Sequence, residues 1–313
     1  KDTMKSTFKV SIVGIGKVGA TAAYAMCLNG RATDLVLVAH QQETAEAEKL
    51  DLEHALPFLH HINIVATDNY EAVAGSDVIV ITAGVGQKPG QTRLDLLQQN
   101  LNLFTEIIPK IYTASPESIV LIVTNPVDIL TYHSSQLVPF KPGQLFGSGT
   151  LLDTARFRFH LSEIFNVNPR SIHAYVLGEH GDHSFPALSS AHISGQPLSQ
   201  FPNYSLEKVQ DAFTQTQQAA YKIIKAKGAT YYAIATAIMK LTNTIYSDAK
   251  SILPVSVPIT NLYGVSEMAL SMPCVVGQGG VDQVIPVPLS DEEKEQFIQA
   301  ADALKEAYQN VKK

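Results

Sequence analysis

The 313-residue sequence has no tryptophan and two cysteines, Cys27 and Cys274. They lie far apart in apolar surroundings, and neither has the Cys-x-x-Cys spacing of zinc sites and redox motifs. This scarcity argues against a disulfide-stabilised secreted fold and favours a reducing compartment, so we expect a cytoplasmic protein. The histidines show no metal-ligand spacing either, and the sequence predicts no metal site.

Positive charge is also scarce, because the sequence has 23 Lys and Arg against 29 Asp and Glu, which gives a net charge of −6. Such a chain offers no basic field to a nucleic-acid backbone. Its apolar runs, such as "DVIVITAGV" and "SIVLIVTNPV", are shorter than the roughly 18 residues of a membrane-spanning helix. The N-terminus lacks the apolar core of a cleavable signal. We therefore expect neither nucleic acid nor a membrane as a partner.

Short apolar runs alternate with helical patterns through the first half of the chain. The runs are continuously hydrophobic, which indicates strands buried on both faces of a parallel sheet. They cover 9–13, 35–39, 62–66, 77–82, 118–123 and 144–148, and a helix is predicted at 17–29. The pattern predicts an α/β fold with a doubly wound parallel sheet.

The pattern changes after about residue 150. Helices are predicted at 151–166, 205–226 and 229–246, the last two separated at Gly228, with an alternating stretch at 171–177. Strand-like runs follow, and Ser290 and Glu293 form the capping box of a C-terminal helix. We predict a doubly wound domain over residues 4–148 and an α+β domain over residues 149–313.

The stretch "VGIGKVG" contains Gly14, Gly16 and Gly19 in the spacing G-x-G-x-x-G, directly after the first strand and at the start of a helix. Glycines also serve ordinary tight turns, so the motif alone is weak. In this context it predicts a Rossmann-type dinucleotide site, where the backbone approaches a pyrophosphate at the helix N-terminus.

The acid that normally ends the second strand of such a site is missing. It is expected about 20 residues after the glycines, to bind the adenosine 2′-hydroxyl. This sequence has Ala39 there, and neither His40 nor Gln41 replaces a carboxylate. The site therefore loses acceptors for the ribose and the repulsion that excludes a 2′-phosphate. We expect NAD as cofactor, with NADP accepted as well.

A glycine-rich loop, "AGVGQKPGQTRLD" (83–95), follows the fourth strand and carries Gln87 and Arg93. Ligands of open parallel sheets bind beyond the carboxyl ends of the strands. The loop is therefore placed to bring a cation to a substrate. A solvated surface loop is the alternative.

The helix that begins in "GTLLDTARFRF" (149–159) carries charged side chains on more than one face. Thr150 and Asp153 fit a capping box, and Asp153 and Arg156 have the spacing of an ion pair. Arg156 and Arg158 differ by about 200° around a helix, so they point in nearly opposite directions.

Two histidines, His173 and His180, lie in and just after the alternating stretch, the second within "VLGEHGDH". They are seven residues apart, so on a continuous strand they would face opposite sides, although Gly178 could disturb that parity. The spacing permits two separate sites. One would combine Asp153, Arg156 and His180, and the other Arg158 and His173.

The motifs "VGIGKVG", "QKPGQTRLD", "TNPVDIL", "GSGTLLDTARFR", "IHAYVLGEHGD" and "KGATYYAIA" together resemble the bacterial L-lactate dehydrogenases of the lactate/malate dehydrogenase family over nearly the whole chain. The resemblance implies a dinucleotide-binding domain followed by a substrate domain, and reversible hydride transfer between NAD(H) and pyruvate/L-lactate. Malate dehydrogenases share much of the pattern.

The resemblance also implies roles for the site residues. His180 would donate a proton to the pyruvate carbonyl and Asp153 would hold its ring, while Arg156 would bind the substrate carboxylate. Arg93 would polarise the carbonyl, and Gln87 would disfavour a second carboxylate, which an arginine there would neutralise. The wider substrate site would include Asn125 and Thr230. The implied cofactor site comprises Gly14, Gly16, Val18, Gly19, Ala39, Tyr70, Gly84, Asn125, Ser148 and Ile234.

Arg158 and His173 match the positions where the bacterial family binds fructose 1,6-bisphosphate between subunits. The resemblance thus implies an allosteric homotetramer active in glycolysis and fermentation, with ordinary surface charge as the alternative. Two other functions stay open at this stage. One is a related 2-hydroxy acid or malate dehydrogenase with relaxed NAD/NADP choice, and the other is a non-catalytic dinucleotide-binding protein.

Overall fold

The structure, a computed structural model, describes residues 7–86 and 92–312, except for the side chains of Arg93 and Lys312. Parallel strands build the first part of its main sheet, in the spatial order β3-β2-β1-β4-β5-β6. They are β1 (Lys9–Val13), β2 (Asp34–Val38), β3 (Asn63–Thr67), β4 (Val78–Ile81), β5 (Ile119–Ile122) and β6 (Leu145–Gly147). This is the doubly wound order, whose direction reverses between β1 and β4. The predicted strands are confirmed to within one residue at each end.

Helices cover this parallel sheet. They are α1 (Lys17–Asn29), α2 (Gln42–Ala55), α3 (Arg93–Ala114) and α4 (Val127–Ser135). Strands β4 and β5 are buried throughout, as their continuous apolar sequence requires. Burial alternates in β3 because it lies at the sheet edge with one face partly open.

The second half combines long helices with antiparallel strands. The helices are α5 (Leu151–Phe165), α6 (Leu206–Lys227), α7 (Tyr232–Tyr246) and α8 (Asp291–Lys312). The strands are β7 (Ile172–His173), β8 (Val176–Gly178), β9 (Ser184–Pro186), β10 (His192–Ile193), β11 (Gln196–Pro197), β12 (Ser251–Ile259), β13 (Met268–Gly277) and β14 (Gly280–Val284). Gly228 ends α6 in the left-handed region at φ +83°, and the capping box of Ser290 and Glu293 begins α8.

Two local predictions are wrong. The stretch 171–177 is not one strand, because it breaks after His173 into β7, which pairs with β10, and β8, which pairs with β9 and β13. The parity argument for His173 and His180 therefore does not apply. The two histidines are separated because β7, which contains His173, and β8, which precedes His180, join different sheets. Thr150 does not cap α5 either, since its hydroxyl donates instead to the carbonyl of Val176 at 2.5 Å.

The main sheet continues from the first half into the second, which the sequence did not indicate. Strand β12 pairs antiparallel with β6 through Ser256 and Gly147, and β13, β8 and β9 follow. A Cβ at Gly147 would lie 2.5 Å from the Thr131 hydroxyl of α4, so glycine permits the close approach of α4, β6 and β12. This junction brings Asp128 of α4 next to β12.

The main hydrophobic core extends from the parallel sheet to α8 and contains residues from both halves, Phe104 and Phe297 among them. A second core lies under α5 and α6 and includes Phe157 and Val209. Cys27 and Cys274 are buried and not disulfide-bonded, and burial raises the pKa of their thiols to about 11 and about 12. No helix in the described ranges is long and apolar enough to cross a membrane.

Candidate active site

The glycine turn after β1 combines two crowded positions with one open position. A Cβ at Gly14, where φ is +99°, would lie 2.3 Å from the Ala83 nitrogen, and one at Gly19 would lie 2.0 Å from the Gly14 carbonyl oxygen. Gly16 is different, because a Cβ there would meet nothing within 4 Å. It directly precedes α1 and is exposed. The turn thus leaves free space at a helix N-terminus, which suits a pyrophosphate.

A cleft of about 500 Å³ lies beyond the carboxyl ends of β1, β2 and β4. Of the cofactor residues predicted from the sequence, those lining it are Gly14, Gly16, Ala39, Tyr70 and Gly84. Val18 and Gly19 lie in the first turn of α1 behind the glycine turn. The cleft lies where the strand order reverses, next to the open position at Gly16, and this arrangement fits a bound dinucleotide.

Ala39 lies buried directly after β2, and its N–H donates to the carbonyl of Thr67 at 3.0 Å. Its neighbours His40 and Gln41 are exposed and also line the cleft, as does Thr44. Among the described residues that line this cleft there is no carboxylate. The adenosine end of a dinucleotide would therefore meet no negatively charged side chain among these lining residues.

His180, Asp153 and Arg156 come together at one point. The first turn of α5 positions Asp153, and His180 lies in the loop after β8. The His180 Nδ1 lies 2.5 Å from Asp153 Oδ2, and the Arg156 Nη1 donates to Asp153 Oδ1 at 3.2 Å. The carboxylate binds the protonated Nδ1, so the proton-transfer nitrogen left for a substrate is Nε2. The structure thus assembles the first of the two sites predicted from the sequence.

Burial and charge act in opposite directions on this pair. Burial alone would lower the pKa of His180, but the charge and hydrogen bond of Asp153, supported by Asp128, raise it above its ordinary value. Burial likewise favours protonation of Asp153, but His180 and Arg156 hold the pKa of that carboxyl below its usual range. The arrangement stabilises an imidazolium beside a carboxylate.

Asp128 is a site residue that the sequence reasoning missed. It lies in the first turn of α4 and is buried. Its Oδ2 accepts the main-chain N–H of His180 at 2.7 Å, and its Oδ1 accepts the Ser256 hydroxyl at 2.6 Å. Burial raises the pKa of Asp128 to about 6, against the opposing effect of these two hydrogen bonds. The feature of the sequence that could have identified Asp128 is an acid at the start of a helix that follows a buried strand.

The other predicted ligand-binding residues lie at strand or helix ends. Asn125 follows β5, its carbonyl accepts from Asn100 Nδ2 at 3.3 Å, and its peptide bond to Pro126 is cis. Ser148 follows β6 and is buried. Thr230 precedes α7, whose first turn contains Ile234, and both side chains are partly buried.

Residues 87–91 of the predicted substrate loop (83–95) lie outside the described residues. Gln87 lies outside the described residues, as does the side chain of Arg93, whose backbone begins α3. Thr92 and Asp95 form the capping box of this helix, with the Asp95 N–H donating to the Thr92 hydroxyl at 3.1 Å. The helix start at Arg93 is thereby fixed.

Arg158 lies on the face of α5 away from Arg156, and His173 lies on β7. The Arg158 Nε donates to the carbonyl of Ala174 at 2.9 Å, and its guanidinium lies 5.2 Å from the Tyr175 ring centroid. His173 stacks on His192 with ring centroids 4.8 Å apart. Burial lowers the pKa of His173, and repulsion from the positive charges of His192 and Arg158 lowers it further. The sequence reasoning missed His192, which the pairing of β7 with β10 brings here.

Family models match both halves of the chain. Residues 8–147 match the lactate/malate dehydrogenase NAD-binding domain, and residues 150–313 match the lactate/malate dehydrogenase alpha/beta C-terminal domain.

Individual relatives match over nearly their full length. The chain is 44% identical to an L-lactate dehydrogenase of Thermoanaerobacter sp. (strain X514), over 97% of this chain and 99% of that protein. It is 39% identical to L-lactate dehydrogenase 1 of Clostridium acetobutylicum, over 98% and 100% of the two chains. The crystal structure of the minor L-lactate dehydrogenase of Enterococcus mundtii, in a ligands-bound form, matches with a TM-score of 0.94 at 35% identity, over 98% and 99% of the two chains.

Proposed function

The chain belongs to the lactate/malate dehydrogenase family and is an NAD-dependent oxidoreductase, and we propose that His180 exchanges the proton in its interconversion of pyruvate and L-lactate. The observation that carries the proposal is the 2.5 Å contact between His180 Nδ1 and Asp153 Oδ2. That contact orients Nε2 and favours the charged ring, the two properties that a proton donor to a carbonyl oxygen requires. The nicotinamide, when bound, supplies the hydride to the substrate carbon.

The proton moves between defined atoms in this proposal. In pyruvate reduction, the imidazolium of His180 releases its Nε2 proton to the carbonyl oxygen as that oxygen gains negative charge. Asp153 keeps the other nitrogen protonated and stabilises the charged ring. In lactate oxidation the neutral imidazole accepts the hydroxyl proton at the same nitrogen.

We assign the substrate carboxylate to Arg156. One Nη group already donates to Asp153, which orients the guanidinium and leaves other N–H groups for a ligand. A planar guanidinium can bind a carboxylate through two parallel hydrogen bonds, a geometry that lysine lacks. Arg93 would polarise the carbonyl, with Asn125 and Thr230 completing the substrate pocket.

Substrate choice is assigned to Gln87. A neutral amide there would leave the second carboxylate of oxaloacetate unpaired in a closed site, whereas the methyl group of pyruvate carries no charge to neutralise. This assignment favours pyruvate over oxaloacetate.

NAD fits the cleft beyond β1 and β2, and we propose that NADP is accepted too. Ala39 and the residues around it support this proposal, because no carboxylate among the described lining residues would repel a 2′-phosphate. Val18, Gly19, Ser148 and Ile234 are assigned to the cofactor together with the residues that line the cleft.

We further propose that Arg158 and His173 bind fructose 1,6-bisphosphate across a subunit interface. The lowered pKa of His173 keeps its ring largely neutral beside Arg158 until a phosphate binds, and the phosphate charge would then favour the protonated ring. Two cationic side chains per subunit, doubled by a two-fold axis, would neutralise the bisphosphate. The protein would then be an activated cytoplasmic homotetramer that reduces pyruvate in glycolysis and fermentation.

A matrix of steady-state assays tests these proposals. Pyruvate, oxaloacetate and a branched 2-keto acid are each measured with NADH and with NADPH, with and without fructose 1,6-bisphosphate. We expect the highest kcat/KM with pyruvate. Failure to oxidise NADH with pyruvate would contradict the proposed reaction, and a higher kcat/KM for oxaloacetate would favour a malate dehydrogenase.

A further inference from the structure

Asp128 is a buried acid beside His180 that the proposed reaction does not use. Only 2% of its surface is exposed, and both carboxylate oxygens accept hydrogen bonds. Oδ2 accepts the main-chain N–H of His180 at 2.7 Å, while Oδ1 accepts the hydroxyl of Ser256 at 2.6 Å. A buried carboxylate is costly unless it is satisfied in this way, so its position is closely constrained.

These hydrogen bonds join three separate elements. Asp128 belongs to the first turn of α4, Ser256 to β12 and His180 to the loop after β8. The N-terminus of a helix favours negative charge in its first turn. Asp128 therefore has a helix dipole and a serine anchor on one side, and the main chain that carries the imidazole on the other.

Charged groups from neighbouring elements act on the same histidine. Asp153 and Arg156 project from α5, and Glu179 precedes His180 in the loop. Asp153 is the main source of the raised pKa of His180, Asp128 adds to it, and Arg156 opposes it. Glu179 acts on Asp128, where its charge raises the pKa of the carboxyl.

We propose that Asp128 is a positioning residue for the proton transfer, which fixes the main chain of His180 and, together with Asp153, holds the imidazole in its charged form. The two acids act at different points, since Asp153 binds the ring and Asp128 binds the backbone that carries it. The inference rests on the proposed function of His180 as the proton donor.

Asp128→Asn separates the charge from the hydrogen bonds. The amide oxygen can accept from the His180 N–H while the amide nitrogen donates to the Ser256 oxygen, so both contacts persist without the negative charge. The imidazole of His180 is titrated by NMR in the cofactor-free protein, with its resonances assigned by their loss in His180→Gln. The pH profile of kcat/KM for pyruvate is measured in parallel.

We expect the pKa of His180 to fall in Asp128→Asn by about half a unit or more. We also expect the loss of pyruvate reduction with rising pH to begin about half a unit lower. At pH values above the parental pKa of His180, kcat should therefore fall about threefold with a smaller change in KM, because fewer molecules hold the proton. Asp182→Asn, an exposed acid two residues beyond His180, is the matched control and should keep the parental titration.

Ser256→Ala provides a second variant, which keeps the Asp128 charge but removes its anchor. Without the Ser256 hydroxyl the Asp128 carboxylate is held less firmly beside His180, so it stabilises the charged ring less and the pKa of His180 should fall, by less than in Asp128→Asn. If circular dichroism shows that Asp128→Asn does not fold, the Ser256→Ala titration tests the inference instead. An unchanged pKa of His180 in that variant would then overturn it.

A folded Asp128→Asn protein with the parental His180 titration and the parental kcat would overturn the inference and leave Asp128 a structural role. The NMR titration does not depend on turnover. If the parent failed to reduce pyruvate but the pKa of His180 still fell in Asp128→Asn, the proposed function would be refuted. The coupling between Asp128 and His180 would stand.

Discussion

Arg156 and Arg158 lie two residues apart on α5 and bind partners on different sides of the helix. The Nη1 of Arg156 donates to Asp153 beside His180, whereas the Nε of Arg158 donates to the Ala174 carbonyl after β7. One helix thus presents one arginine to the proposed catalytic site and the other to the proposed activator site. Substitutions at Arg158 should therefore act on activation separately from chemistry.

Arg158→Gln and His173→Gln should each weaken the response to fructose 1,6-bisphosphate. Removing one cationic group per subunit costs a charge-assisted contact to phosphate, so the concentration for half-maximal activation should rise about tenfold or more. Pyruvate saturation curves and sedimentation with increasing bisphosphate provide the measurement. Arg170→Gln, at an exposed position beyond α5, is the control. The activator proposal is wrong if the sugar changes neither KM nor assembly in the parent.

Asp153→Asn should shift the pH dependence of both reaction directions to lower pH. The parental pKa of His180 is raised, so the imidazolium persists above pH 6.5, and pyruvate reduction is lost only as pH rises through that raised value. Without the Asp153 charge the pKa falls, and the loss begins at lower pH. Profiles of kcat/KM for pyruvate and for lactate from pH 5 to about 10 measure the shift. A variant with unchanged profiles would exclude Asp153 as the source of the raised pKa.

Ala39→Asp should restrict the cofactor choice. A carboxylate after β2 would accept from the adenosine ribose hydroxyls and repel a 2′-phosphate. The ratio of kcat/KM with NADH to that with NADPH should rise about 100-fold, or ~2.7 kcal/mol. Ala39→Asn is the matched neutral control and should change the ratio much less. A parental preference for NADH above about a thousandfold, ~4 kcal/mol, would contradict the proposed relaxed choice.

Gln87→Arg should increase the reduction of oxaloacetate. The guanidinium would neutralise the second carboxylate that the amide leaves unpaired, and kcat/KM for oxaloacetate should rise by about 100-fold or more. Pyruvate is measured alongside, and Gln87→Met, of similar length without charge, is the control. If oxaloacetate reduction stays at the parental level, the assignment of substrate choice to this position is incorrect.

The sequence predicted the parts of the fold that depend on neighbouring residues. Continuous apolar runs identified the parallel strands, since burial on both faces is visible in each segment alone. The Ser290 and Glu293 capping box and the break at Gly228 depend on local hydrogen bonding and backbone conformation, and both were correct.

Features that depend on contacts between residues far apart in the sequence could not be predicted from local patterns. Asp128 acquires its position from Ser256, 128 residues further along the chain, and His192 acquires its stacking partner only through the pairing of β7 with β10. The stretch 171–177 has a strand-like alternation, yet its two ends join different sheets. Local periodicity describes burial but does not specify which strand will be the neighbour.

The pairing of Ser256 with Gly147 gives β6 a neighbour on the side away from β5. If translation stopped or a protease cut before β12 was in place, that side of β6 would present unsatisfied main-chain donors and acceptors to other copies of the chain. Exposed strands of this kind seed intermolecular sheet extension. The late-synthesised β12 thus shields the first half of the molecule from self-association, and fragments ending near residue 148 should precipitate rather than fold as independent units.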